Sequence, residues 1–161
     1  MDPILIFSHH FWLFAIAGTF FQVFQTKKRI KKYIQAKPEL EPGYNSLLRG
    51  MFFWFNVPWV VMGIGMLSGR VPTMLHFFRP RDGNPFVSAW FATVIALWLL
   101  GTFWLVAKKG AEKLVEYPGF LTTEVKTPKQ VLVTWFLSLL GGIVGVVMMW
   151  VMNVPIPKSF Y

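Results

Sequence analysis

Four stretches of the chain, residues 4–25, 51–69, 87–107 and 131–152, contain no Asp, Glu, Lys or Arg. Each is close to the length of about 20 apolar residues that carries a helix through hydrocarbon. A bilayer core offers no water to unpaired N–H and C=O groups, so such a run is stable there only as a helix that satisfies its own backbone. These runs predict an all-α, polytopic integral membrane protein, a four-helix transmembrane bundle forming one domain over residues 1–161.

Composition narrows what such a bundle does. With 55% hydrophobic and only 14% charged residues, the chain has more apolar surface than one soluble core of this length hides, so lipid is its expected solvent. The absence of cysteine excludes disulfide scaffolds, thiolate metal sites, iron–sulfur clusters and cysteine nucleophiles. No span carries a carboxylate or a basic side chain, so the usual parts of a proton relay, an ion-coupled carrier or a voltage sensor are missing. The few acidic residues are scattered through the connections, and there is no phosphate-binding glycine loop or helix-borne zinc motif. An enzyme is therefore not expected, and no catalytic residue is nominated.

The net charge of +9 reads as topology because of where it sits. Connections 26–50 and 108–130 hold twelve of the sixteen basic residues, whereas connection 70–86 and the tail hold Arg70, Arg79, Arg81 and Lys158. Short Lys- and Arg-rich connections stay on the cytoplasmic side, so both termini and residues 70–86 are expected outside. The same bias argues against a nucleic-acid partner and for membrane lipids. The first run follows Asp2 and precedes Lys27-Lys28-Arg29, with no small-residue cleavage site, so it is expected to remain as a span. The expected location is a bacterial inner (cytoplasmic) membrane or an equivalent energy-transducing membrane.

After the first span, residues 26–36 keep helical spacing, with Ile30, Tyr33 and Ile34 on one stripe. This predicts a short amphipathic segment on the inner membrane surface, with Lys27, Lys28, Arg29, Lys31 and Lys32 at lipid headgroups. Lys37-Pro38 and Glu41-Pro42-Gly43 are expected to break the helix. A weak internal echo pairs Gly18-Thr19-Phe20 with Gly101-Thr102-Phe103, and Pro42-Gly43-Tyr44 with Pro118-Gly119-Phe120.

Lipid gives helices no hydrophobic reason to associate, so small residues mark where backbones approach. Gly63, Gly65 and Gly69 in the second span, Ser88, Ala92 and Ala96 in the third, and Gly141, Gly142 and Gly145 in the fourth are the expected packing positions. They serve either contacts inside the bundle or contacts to other subunits or a second copy.

Three histidines concentrate the candidate chemistry. His9 and His10 lie near the start of the first span and His76 in connection 70–86, all toward one membrane face. His10 shares a helical arc with Phe14, Ala17, Gly18 and Phe21, and those small residues place it on the expected bundle interior. An imidazole there is a candidate ligand for haem iron, for the magnesium of a chlorophyll or for another metal, with His9 and His76 as further candidates. The alternative is a histidine bonded to a loop carbonyl or hydroxyl. In the connection, Leu75, Phe77 and Phe78 suit the interface, Asp82-Gly83-Asn84 is turn chemistry, and Arg79 and Arg81 can pair with Asp82, Asp2 or phosphate. In the second span, Pro58 is expected to kink the helix and free the carbonyl of Trp54 for Asn56.

The expected function is that of a non-catalytic accessory or scaffold subunit in a larger membrane complex. The alternatives are a haem- or pigment-binding electron-transfer subunit centred on His10, and a small channel or carrier.

Overall fold

The computed structural model describes residues 3–152, 155 and 156. Asp2 and Lys158, which enter the charge argument above, lie outside the described residues. Among the described residues all regular structure is helical: α1 (Pro3–Ala36), α2 (Glu41–Leu67), α3 (Pro85–Ala107), α4 (Gly110–Glu116) and α5 (Pro128–Val151). Single turns of 3-10 helix occupy Pro38–Leu40, Met74–Phe78 and Pro80–Asp82. Among the described residues four helices are long and apolar enough to cross a membrane, α1, α2 with the short turn before it, α3 and α5.

Local chemistry explains the boundaries. Asn84 caps α3 by accepting the Phe86 N–H, with Pro85 at the first helical position. Thr127-Pro128-Lys129-Gln130 forms a capping box at the start of α5, the Thr127 hydroxyl and the Gln130 side chain each satisfying a backbone N–H of the other. Gly119 takes a φ of +76° in the turn before α5, a conformation open to glycine at no steric cost.

Three elements depart from expectation. α1 does not end at residue 25, because nothing between Thr26 and Ala36 breaks a helix, and it stops only where Pro38 restricts Lys37. At 34 residues it is about 51 Å long, some 20 Å more than hydrocarbon is thick. Pro42 and Gly43 do not break the chain either, since they fall in the first turn of α2, where N–H groups have no intrahelical partner to lose. Connection 108–130 contains α4, whose Ala111 and Leu114 are buried.

The spans touch in chain order, α1 on α2, α2 on α3 and α3 on α5. Tryptophan laid on glycine recurs between α1 and α2, between α3 and α4, and between α3 and α5. A Cβ added at Gly63, Gly101, Gly110 or Gly142 would stand 2.6–2.8 Å from the rings of Trp12, Trp135, Trp104 and Trp98 respectively. Between α3 and α5 the arrangement is reciprocal, Trp98 lying on Gly142 and Trp135 on Gly101.

Several hydroxyls inside the helices are satisfied by the backbone one turn back. Thr19, Thr93 and Thr102 donate to the carbonyls four residues back, at 3.2, 2.8 and 2.8 Å. Asn56, buried beside Pro58, donates from Nδ2 to the Phe52 carbonyl at 2.8 Å, not to Trp54 as expected, because Phe52 is the residue one turn behind it.

Candidate functional site

One end of the molecule carries the histidines. Residues 70–84 fold over the ends of α2 and α3, burying Val71, Thr73, Phe77 and Pro80. Val71 and Phe77 pack with Met62, Met66, Val87 and Phe91. Of the three apolar residues expected at the interface, Phe77 is therefore a core residue and Phe78 is exposed. Arg79 Nε meets Asp82 Oδ2 at 3.1 Å, and Asn84 Nδ2 donates to the Arg70 carbonyl at 2.8 Å, closing the connection on itself.

His9 fastens this cap to α1, its Nδ1 donating to the Pro72 carbonyl at 2.8 Å. A carbonyl only accepts, so Nδ1 carries the proton in this bond. His10 donates from Nδ1 to Ile6 O, 2.9 Å away within its own helix. His76 Nδ1 lies 3.1 Å from Thr73 Oγ1 and 3.3 Å from the Thr73 carbonyl, and burial pushes its pKa below the ordinary histidine value.

His10 is not on the interior face. It is exposed, as are Phe14, Ala17, Gly18 and Phe21, while Ser8, Thr19, Thr26 and Ile30 form the buried side of α1. Small residues mark close approach only where a partner comes, and among the described residues nothing lies within 4 Å of a Cβ built on Gly18. His9 and His10 stack edge to face with centroids 5.1 Å apart. His76 meets Thr73 instead of either of them. Among the described residues no three or more His, Asp or Glu are grouped to hold a metal ion.

The opposite end carries the lysines and is built more tightly. The stripe Ile30, Tyr33 and Ile34, expected to lie on lipid, is covered by protein: Ile30 is fully buried with Tyr44 and Leu48, and Tyr117 and Phe120 close over them. Arg29, one of the five expected headgroup ligands, turns inward. Its Nε donates to the Gly119 carbonyl and its Nη2 to the Phe120 carbonyl at 2.9 Å. Tyr44 Oη donates to the Pro118 carbonyl at 2.7 Å. Three consecutive carbonyls are thus held by two side chains from different helices. Lys27, Lys28, Lys31 and Lys32 remain exposed, the Lys28 ammonium lying 4.5 Å from the Phe24 ring centre.

This arrangement ends the parallel between Pro42-Gly43-Tyr44 and Pro118-Gly119-Phe120, since the first is helical and the second a turn with left-handed glycine. Sequence reasoning missed the clasp of Arg29, Tyr44 and Gly119. The Pro118-Gly119 pair marks a turn, but nothing local marks which cation its carbonyls meet.

The expected packing glycines divide in two. Gly63 and Gly65 are covered, by Trp12 and by Phe86 with Val71, and Gly142 by Trp98. Gly69 takes φ +69° at the end of α2, and among the described residues nothing lies within 4 Å of a Cβ built on Gly69, Gly141 or Gly145. Ser88, Ala92 and Ala96 form an exposed stripe on α3. In the most apolar windows of the four spans only 11, 28, 11 and 6% of residues are buried, in chain order.

The molecule is thus an all-helical protein with four helices of membrane-crossing length, a folded cap at each end and long apolar faces turned outward. Comparison with known proteins finds no family model, no curated protein and no solved structure that matches this chain.

Proposed function

We propose that the chain is a non-catalytic accessory or scaffold subunit whose four-helix transmembrane array packs laterally against other membrane proteins. The observation that carries this reading is the open small-residue stripes. α5 leaves Gly141 and Gly145 uncovered among exposed Leu137, Leu140, Val144 and Met148, and α3 leaves Ser88, Ala92 and Ala96 uncovered. Gly63, Gly101, Gly110 and Gly142 seat tryptophans internally, whereas the open stripes remain available to partner helices. The lysine end lies in the cytoplasm, and both termini and the histidine cap face out, as the charge bias requires. The membrane is a bacterial inner membrane or one equivalent to it.

Photocrosslinking in native membranes tests this. A photoreactive residue at Leu137 or Ala92 should give discrete adducts with other membrane proteins or with a second copy, while one at Val87, inside the core, should not. Adducts to lipid alone from both exposed positions would overturn the reading.

A second reading rests on His10. Its Nδ1 donates to the Ile6 carbonyl, and Nε2 of its exposed ring is the nitrogen that would meet the metal of a haem or chlorophyll at the surface of the array. It predicts a Soret or chlorophyll band in the gently purified protein, lost in His10→Ala. A colourless preparation from native membranes contradicts it.

A further inference from the structure

The hairpin of α1 and α2 has two sides at the lysine end. One is sealed by Tyr117 and Phe120 over Ile30, Tyr44 and Leu48. The other is an open groove made of two adjoining hollows of about 580 and 370 Å³ that share Asn45 and Arg49.

The lining changes character along the groove. Val23, Leu48 and Phe52 make the part toward the spans, Lys27 and Arg49 stand at its middle, and Ser46, Glu41 and Pro38 line the far part. The register of the hairpin supports this order, since Phe20 and Phe52 stack edge to face at 4.7 Å one to two turns below Lys27 and Arg49. Among the described residues no carboxylate lies within 4 Å of the Lys27 ammonium or the Arg49 guanidinium. Arg29, whose charge is spent on the opposite side, shows what a committed cation looks like in this protein.

We infer that this groove binds one anionic glycerophospholipid with a hydroxylated headgroup, of the phosphatidylglycerol class. An acyl chain lies along Val23, Leu48 and Phe52. The phosphodiester is held between Lys27 and Arg49, whose opposed positions on two helices suit one charge shared by two cations. The headgroup hydroxyls occupy the upper hollow, where Asn45 and Ser46 accept or donate and the Glu41 carboxylate accepts. A choline headgroup offers Glu41 no hydroxyl and leaves the site with surplus positive charge. The site goes beyond general attraction of lysines to a charged surface, because it depends on Lys27 and Arg49 and not on the equally exposed Lys31 and Lys32. It rests on the membrane-spanning reading.

The test uses the full chain, delipidated in non-ionic detergent and offered equal amounts of phosphatidylglycerol and phosphatidylcholine, with retained lipid counted by native mass spectrometry. Wild type should keep one phosphatidylglycerol with a preference of roughly tenfold, given the attraction of two basic residues for an anionic headgroup. Lys27→Gln with Arg49→Gln should bring the preference close to unity, Arg49→Lys should keep most of it, and Lys31→Gln with Lys32→Gln should leave it intact. Equal retention of both lipids by wild type overturns the inference. So does an equal loss in the Lys31 and Lys32 variant, or displacement of the lipid by soluble glycerol phosphate, which would make the groove a site for a free anion. Helical circular dichroism and monodisperse elution check that the variants fold, and the single Arg49→Gln change provides a milder version of the same comparison. Flotation with liposomes separates the two claims: a chain that floats but shows no preference refutes the groove alone, and a chain that does not float refutes the membrane-spanning reading.

Discussion

The indole of Trp135 donates its Nε1 hydrogen to Thr102 Oγ1 at 2.9 Å while the ring lies across Gly101, so one residue of α5 reads two adjacent residues of α3. Thr102 in turn donates to the Trp98 carbonyl at 2.8 Å, and Trp98 itself lies on Gly142 of α5. The two helices are therefore pinned at two levels by bulky rings on bare backbone, with one interhelical hydrogen bond between them.

Thr102→Val keeps the shape of that contact and removes its hydroxyl, leaving the Trp135 N–H without its partner. The expected loss is about 1 kcal/mol, in the range found for interhelical hydrogen bonds in membranes. It should appear as a lower midpoint in detergent unfolding, and Trp135→Phe in the Thr102→Val background should cost little beyond its lost packing. Full additivity of the two changes would show that the bond contributes nothing.

Two neighbouring glycines on α5 give a sharper contrast. Gly142→Ala places a methyl against the rigid Trp98 ring, at 2.7 Å before relaxation, and should destabilise by roughly 1–3 kcal/mol. Gly141→Ala meets no described residue and should be neutral or slightly stabilising for the isolated protein, because alanine is the better helix former. Thermal unfolding of the two variants side by side distinguishes them, and equal loss would mean that α5 is rotated from the position described.

The clasp at the lysine end should loosen when its donors are removed. Arg29→Gln gives up two charge-assisted bonds to Gly119 and Phe120, and Tyr44→Phe gives up the bond to Pro118. Losses of about 1–2 kcal/mol each are expected. Faster tryptic cleavage at Lys126 in both variants, with unchanged cleavage in Lys31→Gln, would report it.

His76 makes the cap at the other end sensitive to acid. Its pKa in the folded cap is lowered, chiefly by burial, so the unfolded cap binds the proton more readily than the folded one. Its contribution to stability is therefore intact above the ordinary histidine value of about 6.5 and declines as pH falls through that value toward the lowered one. Hydrogen exchange across residues 71–82 should accelerate on acidification, and His76→Gln should flatten that dependence. Exchange that is pH-independent after correction for intrinsic rates, or unchanged in the variant, would contradict the assignment.

Four long apolar helices were legible because their charge-free runs stand out: those of α3 and α5 end within a few positions of the helices, whereas α1 continues to Ala36 and α2 begins at Glu41, well outside their charge-free stretches. The face each span presents was not. Sequence reasoning read small residues as points of close backbone approach, whereas Gly142 meets the Trp98 ring and Gly63 the Trp12 ring, a large-into-small fit with no fixed spacing to read. His10 was placed inward on the strength of Ala17 and Gly18, yet no described neighbour of this chain comes to that face of α1. The bond of His9 to the Pro72 carbonyl depends on how the cap returns to α1, and the turn of Arg29 toward Gly119 on a contact between residues ninety positions apart. Neither leaves a local trace.

The central claim is that α1, α2, α3 and α5 cross a membrane with the lysine end inside, and the lack of any cysteine makes it directly measurable. Single cysteines at Lys31 and at Arg81, both exposed, can be treated in intact cells with a membrane-impermeant maleimide. The account predicts labelling at position 81 in intact cells and at position 31 only after the cells are opened. Labelling at position 31 from outside, or at both positions without opening the cells, would contradict it.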